Sequence, residues 1–211
     1  PNPPSGTAVI TAVVDPRIKT ICNGRLTLTT GVPVTTADVT AAATLYWAPY
    51  QGNEIALYSG SAWVTFAQAQ LSIAVPAVAT QVYDVFVDYN AGTPALSLTA
   101  WTNDTTRATA LTTQDGVLVL TGSTGKRYVG TVRTVSASQL NDSLALRHVW
   151  NYYNRVARPM RLYEATANWD YVTASYRQAR ATATNQLDLV VGVEESQVEA
   201  QLQAFASDSV G

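Results

Sequence analysis

Short runs of alternating side chains, each closed by a turn signal, recur along most of this chain and limit what it can fold into. "RLTLTT" (Arg25–Thr30) alternates, "ATLYWAPY" ends at Pro49 and Gly52, and "NEIALYSGSAWVTF" holds two β-prone runs around Ser59-Gly60-Ser61. That last pattern predicts a hairpin over Glu54–Phe66. In "QVYDVFVDY" (Gln81–Tyr89), Val82, Asp84, Phe86 and Asp88 share one face and Tyr83, Val85, Val87 and Tyr89 the other. "ALSLTAW", "GVLVL" and "KRYVGTVRTV" follow, separated by "NDTTR" and "TGSTG". Strands this short, with turns every ~8–12 residues, indicate a mainly β protein, an antiparallel sandwich or barrel.

The pattern changes at "NDSLALRHVWNYYNRVARPM" (Asn141–Met160). Leu146, Val149, Trp150, Tyr153 and Val156 fall on one face at helical spacing. Asp142 or Ser143 is a good N-cap, Arg155 and Arg158 suit the C-terminal end of the dipole, and Pro159 is a stop. The spacing predicts one helix near 142–157. β character returns in "MRLYEAT", "WDYVTASYRQAR" and "QLDLVVGV", while the tail after 194 fits a strand or a helix. The expected organisation is a Pro-rich attachment arm and first strand (1–22), a β-sandwich domain (23–140), a connecting helix (141–160) and a smaller C-terminal β segment (161–211). The arm holds Pro1, Pro3 and Pro4, which favour an extended conformation.

Composition narrows the function classes. Only 13% of residues are charged and the net charge is -2, whereas a general polyanion binder carries a basic excess. Nucleic acid is therefore not an expected partner, and neither is a membrane, since no apolar run nears the ~20 residues of a span. The single cysteine, Cys22, provides no disulfide framework and no cysteine metal cluster. His148 is the only histidine, and no G-x-S-x-G elbow accompanies it, so it reads as a structural or interface residue rather than a catalytic base. "NDTTR" reads as an Asx turn, and "TGSTGKR" has the wrong spacing for a phosphate-binding loop. Asp84, Asp88 and Glu54 are the strand carboxylates that a glycosidase reading would need. No catalytic residue, metal or cofactor is expected.

Two further features concern assembly. From Arg147 to Arg180 six Arg face two acids (six minus two, +4), whereas Asp188 to Asp208 holds five acids and no base (-5). Such blocks can pair within a subunit or between subunits. Trp150, Tyr153, His148, Tyr152, Arg155 and Arg147 are the candidate interface residues, and Trp63 and Trp101 the candidate glycan-contact rings.

"NGRLTLTTGVPVTT", "YWAPYQGNEIALYSGSAWV", "YDVFVDYNAGTPALSLTAWTNDTTRATAL", "QDGVLVLTGSTGKRYVGTVRT" and "WNYYNRVARPM" together resemble a module of tailed-bacteriophage virion proteins, of the fibre, spike or head-surface kind. The likeness runs from about Asn23 to Val193. It implies a non-enzymatic structural role, a homotrimer, contacts with capsid or tail proteins, and a virion location after synthesis in the host bacterial cytoplasm. It carries no assigned functional residues. The alternatives are a carbohydrate-binding module that contacts host surface glycan through strand aromatics, and a tailspike-like glycan hydrolase.

Overall fold

A computed structural model of the chain describes residues 17–166, 169–170, 174–194, 199 and 201. The attachment arm (Pro1, Pro3, Pro4) and almost all of the tail after 194 lie outside the described residues. The protein is mainly β. In chain order the strands are β1 (Gly24–Thr27), β2 (Val39–Ala42), β3 (Thr44–Pro49), β4 (Glu54–Tyr58), β5 (Trp63–Ala67), β6 (Leu71–Ala74), β7 (Val82–Asp88) and β8 (Ala95–Asn103). They continue with β9 (Thr106–Arg107), β10 (Leu111–Gln114), β11 (Val117–Leu120), β12 (Ser123–Ser136), β13 (Gln139–Asp142), β14 (Leu146–Arg147), β15 (Val149–Asn151) and β16 (Asp188–Leu189).

β12 is the spine. One edge pairs with β7 from Lys126 to Arg133; the other receives β11, β15 and β13 in turn. The resulting large sheet packs one face on the β1–β3–β6 sheet and the β4–β5 hairpin, giving a sandwich-like fold. The core between the layers holds Leu26, Leu45, Trp47, Ile55, Leu57, Val85, Val87, Val129 and Leu140. The two faces expected for β7 are both present. Tyr83, Val85 and Val87 enter that core, while Val82 and Phe86 belong to separate apolar clusters on the opposite face. As a central strand, β7 is buried on both sides from Val82 to Val87. The Glu54–Phe66 hairpin forms as expected, with Tyr58 opposite Trp63.

A bulge positions the outer face. Tyr128 pairs with Phe86 and Gly130 with Val85, so Val129 is the extra residue on β12. The slip places Tyr128 and Thr131, three apart, on the same side, where their hydroxyls lie 2.7 Å apart. At Gly130 a Cβ would collide with the Trp150 carbonyl, so only glycine lets β15 close on β12 here.

The expected helix near 142–157 does not form. The segment runs as the end of β13, β14 and β15, and then turns at Asn154 (φ 52°). Val149, Trp150 and Asn151 pair with Val132, Thr131 and Gly130. The free edge of the β12 spine supplies a ladder that outweighs a modest helical preference, and β-branched and aromatic residues suit a pleated surface. Two asparagines add a reason: Asn151 accepts from the Leu26 amide (2.6 Å) and donates to the Leu26 carbonyl (3.1 Å). Asn154 donates to the carbonyls of Cys22 (2.7 Å) and Gly24 (3.1 Å). The expected C-terminal β segment is corrected too. Among the described residues after Met160 only β16 is a strand, two residues long and parallel to β14. A β pattern becomes a strand only with a partner edge, and the edge of β12 is already taken.

Candidate functional site

The outer face of the large sheet carries a buried polar network. The Asp84 carboxylate, 2% exposed, accepts from Arg107 Nε (2.6 Å), Arg107 Nη2 (3.2 Å) and Thr131 Oγ1 (2.9 Å). The guanidinium also stacks over Trp101, 4.4 Å from the ring centroid, and donates to the Gly192 carbonyl. Burial, reinforced by the Asp84 charge, pushes the Tyr128 phenol above its ordinary pKa, so it stays a neutral hydroxyl. A Cβ on Gly192 would overlap Tyr128, Thr131 and Trp150. Residues 188–193 are therefore a strap across the sheet, held by Arg107 and packed through Val190 and Val193. The Asp84 carboxylate, the Arg107 guanidinium and the Thr131 hydroxyl thus bind one another and latch the strap to the sheet.

The strap begins at a second cluster. His148, 1% exposed, places Nε2 3.1 Å from Asp188 Oδ2. Arg133 bridges Asp188 (3.4 Å) and Asp104 (3.3 Å). Burial lowers the His148 pKa and Asp188 only partly restores it, so the ring is neutral at neutral pH. A cavity of about 160 Å³ adjoins Asp104 and Asp188, and the Arg133 guanidinium engages both of its carboxylates. Asp84 and Asp88 sit four residues apart on one strand, roughly 13 Å, and both are engaged: Asp88 takes Lys126 (3.1 Å) and Ser97 (2.8 Å). Among the described residues no group of three His, Cys, Asp or Glu side chains converges.

The other sequence candidates separate. Trp150 and Tyr152 are half-buried beside Tyr128, with Arg155 over the Trp150 ring at 4.8 Å. Tyr153 points to the opposite face, where it packs on the core and under the buried Arg127 at 4.7 Å. Arg147 meets Asp142 (2.8 Å) and the Pro159 carbonyl rather than the acidic block after 188; Arg158 shares the same carboxylate (3.1 Å). Trp101 is buried under Arg107 and offers no open ring to a glycan. Trp63 braces Tyr58 (5.5 Å between centroids), and its indole donates to Asp115 (2.8 Å). "NDTTR" is an Asx turn, Asn103 accepting from the Thr105 amide at 2.9 Å.

What the sequence did not reveal is a loop between Arg161 and Asp188, of which residues 162–166, 169–170 and 174–187 are described. Its feet stand side by side: the Arg161 amide donates to Leu144 O (2.9 Å) and the Asp188 amide to Ala145 O (3.0 Å). Its legs are tied by Glu164, which accepts from the Thr166 amide (2.8 Å), Asn185 (2.5 Å) and Arg180 (3.4 Å). These donors hold the Glu164 carboxyl down to a pKa of about 2. The loop exposes Tyr163 (82%), Trp169, Leu187 and the whole of Tyr176. Among the described residues no helix is long and apolar enough to cross a membrane. No family model, curated protein or solved structure matches the chain.

Proposed function

We propose that this chain is a non-enzymatic structural component of a phage virion, assembling as a homotrimer on the particle surface and joining capsid or tail proteins. The single observation that carries the assembly half of this reading is the 162–187 loop. It is braced at its feet and legs, yet displays Tyr163, Trp169 and Tyr176 to solvent. Large aromatic rings held exposed on such a loop suit a contact surface. Closed symmetry lets one such loop per chain meet an equivalent patch on its neighbour. The virion half rests on the resemblance over Asn23–Val193. A hydrolase reading is disfavoured by the engagement of Asp84, Asp88, Asp104 and Asp188 in ion pairs.

Light scattering of the full chain tests assembly, and a monomeric mass at high concentration would overturn it. Immunogold labelling of phage particles tests location, and unlabelled particles in a preparation that expresses the protein would overturn the virion reading. Label on heads or on tails then separates decoration from fibre.

A further inference from the structure

Three elements meet at Asp188. It closes the loop that follows Arg161, forms β16 with Leu189, and starts the strap. Two backbone bonds hold it down, from its own amide to Ala145 O and from the Val190 amide to Arg147 O, both 3.0 Å. Its carboxylate meets the ring of His148, which lies between β14 and β15, with Nε2 3.1 Å from Asp188 Oδ2. A carboxylate only accepts, so Nε2 carries the proton and the neutral ring leaves Nδ1 bare. Nδ1 is buried and has no hydrogen-bond partner among the described residues. The charged groups that act on the ring are Asp188 from β16, Arg133 from β12 and Asp142 from β13. Asp142 is already engaged by Arg147 and Arg158, and Arg133 bridges Asp188 and Asp104. The cavity of about 160 Å³ lined by Asp104, Arg133, Asp188 and Val190 leaves the start of the strap incompletely packed.

We propose that the His148–Asp188 contact is an acid-sensitive catch: a proton on His148 releases residues 188–190 from β14 while the sheets stay folded, and so unseats one foot of the aromatic loop. The added proton goes to Nδ1 and creates a buried donor with no acceptor. The ring then also carries a charge of the same sign as Arg133. Burial is the main reason the closed form resists this proton, and it holds the His148 pKa below 6.5. Once residues 188–190 lift, the ring is hydrated and titrates at its ordinary value. The open form therefore gains population as pH falls below 6.5, by at most about tenfold per pH unit for one proton. The opening is local because β16 is two residues long and pairs only with β14 among the described residues, whereas β13 and β15 keep their ladders to β12. It ends at Gly192, whose carbonyl Arg107 holds with a guanidinium that stays charged throughout. The catch belongs to the single chain and operates whatever its assembly state.

The test is amide hydrogen exchange of the isotope-labelled full chain between pH 7.5 and 5.5, expressed as protection so that the intrinsic pH dependence is removed. The expected result is a loss of protection at the Asp188 and Val190 amides below pH 6.5, approaching tenfold per pH unit, with Val85 in the central strand unchanged. His148→Gln keeps a side-chain donor for Asp188 but cannot titrate, so protection there should become independent of pH. Should that variant fail to fold, the wild-type ring decides. His148 is the only histidine, so its ring signals need no assignment, and their titration should coincide with the loss of protection. Constant protection at Asp188 and Val190, a parallel loss at Val85, the same loss in folded His148→Gln, or a ring that titrates while the two amides stay protected would each overturn the proposal.

Discussion

Arg107 and Asp84 form a bidentate pair, 2.6 and 3.2 Å, in which the carboxylate is almost wholly buried and the guanidinium reaches on to the Gly192 carbonyl. One ion pair thus joins the central strand β7, the edge strand β9 and the strap. Removing one partner strands the other without its counter-charge. Asp84→Ala should cost about 3–5 kcal/mol, and the Asp84→Ala/Arg107→Met double variant less than the two single losses added together. Chemical denaturation of the four proteins closes the cycle; strict additivity would show that the pair is not coupled.

Gly192 is the contact point of the strap. Gly192→Ala places a methyl where Tyr128, Thr131 and Trp150 already stand. The expected loss is about 1–3 kcal/mol, as for other overpacked sites. Faster hydrogen exchange should be confined to the Val190 amide, which bonds Arg147 O, and its neighbours. An alanine variant with wild-type exchange there would show that the strap is not seated as described.

His148 predicts the pH response. Its folded-state pKa lies below the ordinary 6.5, chiefly through burial. As pH falls through 6.5 the unfolded chain takes up a proton that the folded chain refuses, so stability drops from there down to the folded-state value. The melting temperature should fall between pH 7 and 5, and His148→Gln should flatten that slope. Glu164 acts lower, losing its contribution as pH falls from 4.5 toward 2. An equal slope in the His148→Gln protein would remove His148 as the cause.

The loop that carries Tyr163 and Tyr176 separates stability from assembly. Tyr163 and Tyr176 are exposed, so Tyr163→Ser with Tyr176→Ser should leave unfolding free energy within about 0.5 kcal/mol. The same protein should lose mass in light scattering if these rings sit between copies. An unchanged mass would place the intersubunit contact elsewhere.

Trp150 was expected on a helix and lies on β15, half-buried against Tyr128 and Tyr152. Trp150→Ala should cost about 3 kcal/mol, the lower end for a large aromatic because the side chain is only partly buried. Thermal melting measures this, and a change below ~1 kcal/mol would mean the outer cluster contributes little.

The amino-acid sequence by itself determined the β class, the Glu54–Phe66 hairpin, the two faces of β7 and the Asx turn at Asn103, because each follows from period-two alternation and local turn chemistry within a few residues. Tertiary structure decided the rest. The Leu146, Val149, Trp150, Tyr153, Val156 spacing suits a helix in isolation, yet the open edge of β12 and the side chains of Asn151 and Asn154 reaching β1 made it a strand and a turn. The one local hint was Asn-Tyr-Tyr-Asn, since asparagine favours turns over helix interiors. The Asp84–Arg107–Gly192 latch joins residues 23 and 85 positions apart. It depends on a bulge, a register and the close approach of glycines, which are properties of the assembled sheet and leave no periodic trace along the chain.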